Sequence, residues 1–199
     1  MADRYTWSGL TPHDMRALLA GFERPWWVAG GWAIDVALAR ETRCHEDMDI
    51  ALLRGDELAL KRVLPLWEFH IVHDGAFELW DGREVLDPPR HQFWVRRDAD
   101  GPWDFEILLE DHDGLGAWQW RRDHRVTLPL DRFGSTTADG NPHVALEVAL
   151  LYKAKWHEVE KNAADFDAAL PALDAVQRAW IADAVASGDA AHPWLARLR

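Results

Sequence analysis

Apolar residues recur along the chain in two rhythms, at every third or fourth position or at every second, and each run stops at a turn signal. Thr11-Pro12-His13-Asp14 reads as an N-cap, a proline at the first helical position and an acid in the first turn, which predicts a helix to about Gly21. Trp26 to Val28 is a short apolar strand, Trp32 to about Arg40 a helix, and Asp47 to Leu53 the next strand. Arg54-Gly55-Asp56 makes a turn, and a helix follows from Glu57 to Leu64, stopped by Pro65. From Glu68 to Val72 the apolar Phe69 and Ile71, led by Trp67, alternate with Glu68 and His70, the period of a strand.

The middle of the chain reads as hairpins. His91 to Arg96 and Trp103 to Leu109 are strands joined through Asp98-Ala99-Asp100-Gly101-Pro102, and Trp118 to Arg122 can pair with Arg125 to Leu128. Asp131 to Pro142 is rich in Gly, Ser, Thr and Asn and reads as a loop. Helical periodicity then returns, over Ala145 to about His157, Asn162 to Ala169 and Asp174 to Ala186. The predicted class is α+β with an α/β-like core, a mixed sheet flanked by helices and followed by a C-terminal helical region. The division falls at the loop, into residues 1–140 and 141–199.

Composition narrows the function classes. With 199 residues, 48% hydrophobic and 28% charged, the chain is of ordinary folded type. A formal net charge of −12 repels phosphate-rich polymers, which argues against a general nucleic-acid binder, and attracts small polycations. No apolar run reaches the roughly 18 residues of a membrane helix. Met1 to Arg4 shows no apolar core or cleavage site, so no signal peptide is expected, and the single cysteine, Cys44, fits a reducing cytoplasm. No histidine pair has zinc-ligand spacing with a cysteine. The thirteen tryptophans read mainly as core or pocket wall. Nothing in the pattern sets an oligomeric state.

The candidate chemistry lies in Pro25-Trp26-Trp27-Val28-Ala29-Gly30-Gly31-Trp32-Ala33-Ile34-Asp35 and in Thr42-Arg43-Cys44-His45-Glu46-Asp47-Met48-Asp49-Ile50. A strand runs into a diglycine turn that opens a helix, where backbone N–H groups can meet phosphate. On the strand that follows, Asp47 and Asp49 share one face and repel each other unless a cation or proton lies between them. Together these describe a site for a metal-bound nucleoside triphosphate. Asp104 and Glu106 share a face of a later strand, and either can supply a third acid.

At these residues the chain resembles the nucleotidyltransferase superfamily, and within it the 2″-type aminoglycoside nucleotidyltransferases. The likeness covers about the first third of the chain. It implies the nucleotidyltransferase fold and metal-dependent transfer of a nucleoside monophosphate, AMP from ATP or its equivalent from another triphosphate. The acceptor is a hydroxyl of a small molecule, an aminoglycoside antibiotic among the candidates. Two magnesium ions are expected on Asp47, Asp49 and Glu106, with Gly30 and Gly31 against the β- and γ-phosphates. Glu106, the deeper of the two later acids and placed as the third acid is in similar sequences, is taken as metal ligand or general base ahead of Asp104.

Arg43 and His45 extend the face of Asp47 and either contact phosphate or acceptor or, for His45, orient Asp47. Lys153 is on a helix from which it can reach the triphosphate. Asp35 is expected to support the loop by hydrogen bonding, and Lys161 with Asp165 to staple their helix. Glu78, Asp81, Glu84, Asp87, Glu110, Asp111 and Asp113 form a stock of acids for a cationic acceptor. A toxin-type nucleotidyltransferase acting on tRNA or protein, and a non-catalytic nucleotide-binding module, are the alternatives.

Overall fold

A computed structural model describes residues 5–199; the signal-peptide reading of Met1 to Arg4 lies outside them. Helix α1 (Pro12–Leu18) starts on a capping box in which Thr11 and Asp14 satisfy each other's backbone N–H groups. Strand β1 (Trp26–Val28) leads into α2 (Gly30–Leu38), then β2 (Asp49–Leu53) and α3 (Glu57–Val63). Next come β3 (Glu68–His73), β4 (Ala76–Leu79), β5 (Gln92–Arg96) and β6 (Phe105–His112). A side hairpin, β7 (Ala117–Gln119) with β8 (Thr127–Pro129), extends β6. Short α4 (Leu130–Phe133), β9 (Gly134–Thr136) and β10 (Pro142–Val144) return the chain to the sheet. The C-terminal helices are α5 (Leu146–Ala154), α6 (Glu160–Ala169), α7 (Ala175–Gly188) and α8 (Leu195–Leu198).

The main path of the sheet runs β4-β3-β5-β6-β2-β1-β10-β9, with β6 and β2 parallel at its centre. Alternation along these two strands separates two cores. Ile50, Leu52, Phe105, Ile107 and Leu109 face α1 and α3, in a core that includes Met15, Leu60, Phe69 and Phe93. Ala51 faces the other way, into a core with Ile34 of α2 and the buried faces of α5 to α8. Asp49, two residues from Ala51, and Glu106, its partner in register, therefore lie on the side of the C-terminal helices.

Three expectations need correction, and two elements are new. The diglycine is not a turn ahead of a helix from Trp32: α2 begins at Gly30 itself. Strand β2 begins at Asp49, and Asp47 sits in the bend before it, so strict alternation does not reach back to Asp47, His45 and Arg43. Asp131 to Pro142 is not irregular throughout, because β9 and β10 lie there and β10 pairs parallel to β1. Strand β4 and helix α8 were not expected. The two-residue turn Asp74-Gly75, with both φ angles positive, closes the β3–β4 hairpin and is the kind of signal that specifies one. Among the described residues no helix is long and apolar enough to cross a membrane.

Candidate functional site

Strand β1 ends at Val28, and Ala29, the N-cap of α2, donates its N–H to the Asp49 carbonyl at 2.8 Å. That bond ties the start of α2 to the start of β2. Gly30 has φ +61, and a Cβ there would overlap Asp49 Oδ2. A Cβ on Gly31 would overlap Arg43 Nη2 and the His45 ring. Both glycines are thus required by side chains of the site itself, besides leaving the helix N-terminus open to a ligand.

Across the parallel ladder Asp49 pairs in register with Glu106, which brings the two carboxylates onto one face of adjacent strands. Burial, and then repulsion from Asp47, push Asp49 up to about 7, against the pull of Lys153, Lys161 and Arg43. Glu106 is raised well above the usual carboxylate range by burial and by Asp49. Trp94, opposite Glu106 on β5, donates its indole N–H to Glu106 Oε2 at 3.0 Å and fixes that oxygen. Asp104 is engaged elsewhere: it accepts from the Arg97 backbone N–H at 2.9 Å and from Arg97 Nη2 at 3.0 Å. The chain turns over between β5 and β6, and Asp104 stays with that hairpin.

A rim of cations faces the acids. Asp165 of α6 accepts from Arg43 Nε at 2.9 Å and Nη2 at 3.1 Å, and pairs with Lys153 Nζ at 2.7 Å. Burial pulls Asp165 up, but these two cations outweigh it and hold it below its ordinary value. The expected Lys161–Asp165 staple gives way to this clamp, a role the i, i+4 spacing concealed. His45 does not orient Asp47. Its Nε2 meets Asp35 Oδ2 at 2.6 Å, its ring lies 4.3 Å from that of Trp32, and its side chain is buried. Asp35 also accepts from Thr42, so the expected loop support is present, with His45 part of it.

Beside Gly30 lies a cavity of about 140 Å³ whose wall includes Glu110, Tyr152, Lys153, Trp156 and Asn162. Glu110 is buried and accepts from Trp118 Nε1 at 2.7 Å and Tyr152 Oη at 2.6 Å. The remaining acids expected for a cationic acceptor are dispersed. Asp111 pairs with Arg54 at 2.6 Å, Asp113 caps its own turn, and Glu78, Asp81, Glu84 and Asp87 surround a depression at the β4 edge.

Among the described residues no group of three or more His, Cys, Asp or Glu side chains closes around a point where a metal could sit. The donor set still suits a hard divalent cation: its ligands are all oxygen, and Asp49 and Glu106 are raised by burial and then by a neighbouring carboxylate, a repulsion such an ion would relieve. Magnesium keeps several waters, so Asp47, Asp49 and Glu106 need not enclose it.

Residues 13–75 match the family model described as Aminoglycoside-2''-adenylyltransferase. Curated relatives from Escherichia coli and Klebsiella pneumoniae, each a "2''-aminoglycoside nucleotidyltransferase", are 34% identical over 76 residues. That stretch is 36% of this chain and 43% of each relative, so the chain spans less than half the length of the curated relatives it matches. In fold it is similar to ANT(2")-Ia in complex with adenylyl-2"-tobramycin, with TM-score 0.57 at 18% identity over 88% of this chain and 95% of that one. It is also similar to the lincosamide antibiotic adenylyltransferase LnuA, lincomycin-bound, with TM-score 0.53 at 16% identity over 77% and 90% of the two chains. The fold is that of the nucleotidyltransferases.

Two outcomes follow from the geometry. Gly30→Ala places a Cβ against Asp49 in left-handed backbone and should cost about 1–2 kcal/mol in urea unfolding. Gly21→Ala, where the space is open, should stay within about 0.5 kcal/mol, and equal effects would remove the steric claim. The second concerns pH. The folded state holds a proton on Asp49 up to about 7, whereas the unfolded chain releases it near 3.8. The contribution of this group to stability is therefore full below about 4 and is lost as pH rises through about 7. Without divalent cations, Asp49→Asn should make the thermal midpoint fall less steeply across that window than in the wild type. Parallel curves would show that Asp49 titrates normally.

Proposed function

We propose that this chain transfers a nucleoside monophosphate, AMP from ATP, to a hydroxyl of an aminoglycoside. The observation that supports the reading most is the β2–β6 register, which sets Asp49 beside Glu106 at the diglycine start of α2. Gly30 and Gly31 present backbone N–H groups to the phosphates, aided by the N-terminal end of the nine-residue helix α2. Arg43, Lys153 and Lys161 counter the triphosphate charge, and Asp165 holds the first two in place. Asp47, Asp49 and Glu106 would hold magnesium, as two ions, which when bound neutralises charge on the attacking and leaving oxygens.

Glu106 accepts the proton of the acceptor hydroxyl. Its place in register with Asp49 supports this role, and the Trp94 indole N–H orients its carboxylate. The net charge of −12 favours approach of a polycationic acceptor, an effect that salt weakens. Residues 1–140 then form the catalytic part, and residues 141–199 add Lys153, Lys161 and Asp165 to it. The protein works in the cytoplasm, where Cys44 stays reduced. A second acceptor class, the lincosamides, is favoured by the fold likeness to LnuA.

The deciding experiment incubates the protein with magnesium, each of four labelled nucleoside triphosphates, and panels of aminoglycosides and lincosamides. An adduct one AMP heavier than an aminoglycoside, with pyrophosphate released and transfer stopped by EDTA, is expected. Transfer that persists in EDTA would remove the metal from the reading, and adducts on lincosamides alone would replace the acceptor. Asp47→Asn should abolish transfer while leaving the fold intact. Glu106→Gln should lower kcat about a hundredfold or more, and Asp104→Asn less than about tenfold. The reverse order would move the base to Asp104.

A further inference from the structure

The C-terminal helices pack over only part of the sheet. Among the described residues, the apolar core they form with α2 contains none from β3, β4 or β5. On β5 the buried Phe93 and Val95 face the opposite core, so Trp94 between them points to the side of Glu106. There the ring is held by other means.

The start of the described chain packs against it. Trp103, just ahead of β6, donates its N–H to the Thr6 carbonyl at 2.9 Å and accepts from the Ser8 N–H at 2.8 Å. Trp7 and Trp103 are thereby paired in parallel, which anchors Trp7 to the chain three residues before Glu106. The Trp7 ring centre lies 4.7 Å from that of Trp94, with the planes at 58°. Tyr5 and Phe77 meet Trp94 edge-on at 5.8 and 5.1 Å, and Trp103 does so at 5.5 Å. All four distances fall in the range where aromatic rings attract, and Trp7 is the nearest of the four.

An indole has one polar group, a donor fixed in the plane of its ring. That of Trp94 goes to Glu106 Oε2 at 3.0 Å, so the position of the ring decides how the carboxylate is turned. Gln92, two residues back on β5, gives Glu106 a second hydrogen bond. Both partners are neutral, so they orient the carboxylate without forming an ion pair with it.

We propose that Trp7 is a positioning residue for nucleotidyl transfer: residues 5–8 brace Trp94, which turns Glu106 toward the acceptor hydroxyl. The inference rests on the reading of Glu106 as the base.

The test has two arms on the full chain. In the first, NMR follows the indole N–H resonance of Trp94, identified by its loss in Trp94→Phe. Trp7→Ala and Glu106→Gln should each shift or broaden that resonance, and Trp7→Phe should restore it. In the second arm, Trp7→Ala should lower kcat about tenfold with both KM values within about twofold, since Gln92 still holds Glu106. Trp7→Phe should recover kcat to within about threefold of the wild type. Trp94→Phe should also cost about tenfold, and the double variant with Trp7→Ala should be no slower than Trp94→Phe alone, because both act through one N–H. Should Trp7→Ala not fold, Trp7→Leu, apolar but without a ring, takes its place. An unmoved Trp94 resonance, an unchanged kcat, or effects that multiply in the double variant would each overturn the proposal. Failure of the base reading is seen separately, as a wild type that transfers nothing or a Glu106→Gln variant that stays fully active.

Discussion

Two carboxylates on neighbouring central strands are the constraint around which this molecule is arranged. Asp49 and Glu106 stand in register on β2 and β6, and burial raises both, with repulsion from Asp47 added at Asp49 and from Asp49 added at Glu106. Such a pair opposes folding unless a proton or a cation is shared between them. The strands tolerate it because their opposite faces bury Ile50, Leu52, Phe105, Ile107 and Leu109 in an independent core. Both faces of the sheet are packed in hydrophobic cores, and the carboxylates lie on the face toward the C-terminal helices.

The surroundings of the pair are built to hold charge in place. Asp165 gathers Arg43 from the loop before β2 and Lys153 from α5, so one acid on α6 positions two cations opposite the carboxylates. His45, Asp35 and Thr42 lock the same loop against α2. A long-range clamp of this kind ties the C-terminal helices to the sheet more specifically than apolar contact alone, because its geometry is met in only one docking.

Much of the local structure was legible along the chain. The capped start of α1, strand β1, the hairpin of β5 and β6 and the three main C-terminal helices follow from caps, turn residues and period, all of which act within a few positions. The edge strand β4 was less visible: it is mostly exposed, with no buried alternation to mark it. Strands β9 and β10 were hidden in a stretch of turn formers, since three-residue strands depend on their neighbours rather than on their own pattern.

The sequence by itself determined that a diglycine precedes two closely spaced acids, because both are local facts of spacing and residue type. It also offered Asp104 and Glu106, two positions apart, as candidates for a third acid. Only the tertiary structure set Glu106 in register with Asp49 across β2 and β6 and paired Asp104 with Arg97. The partners of Asp165 and the burial of His45 were likewise decided by folding. Each joins residues far apart in the chain or depends on what covers a side chain, and neither pairing nor cover is written in the spacing of residues.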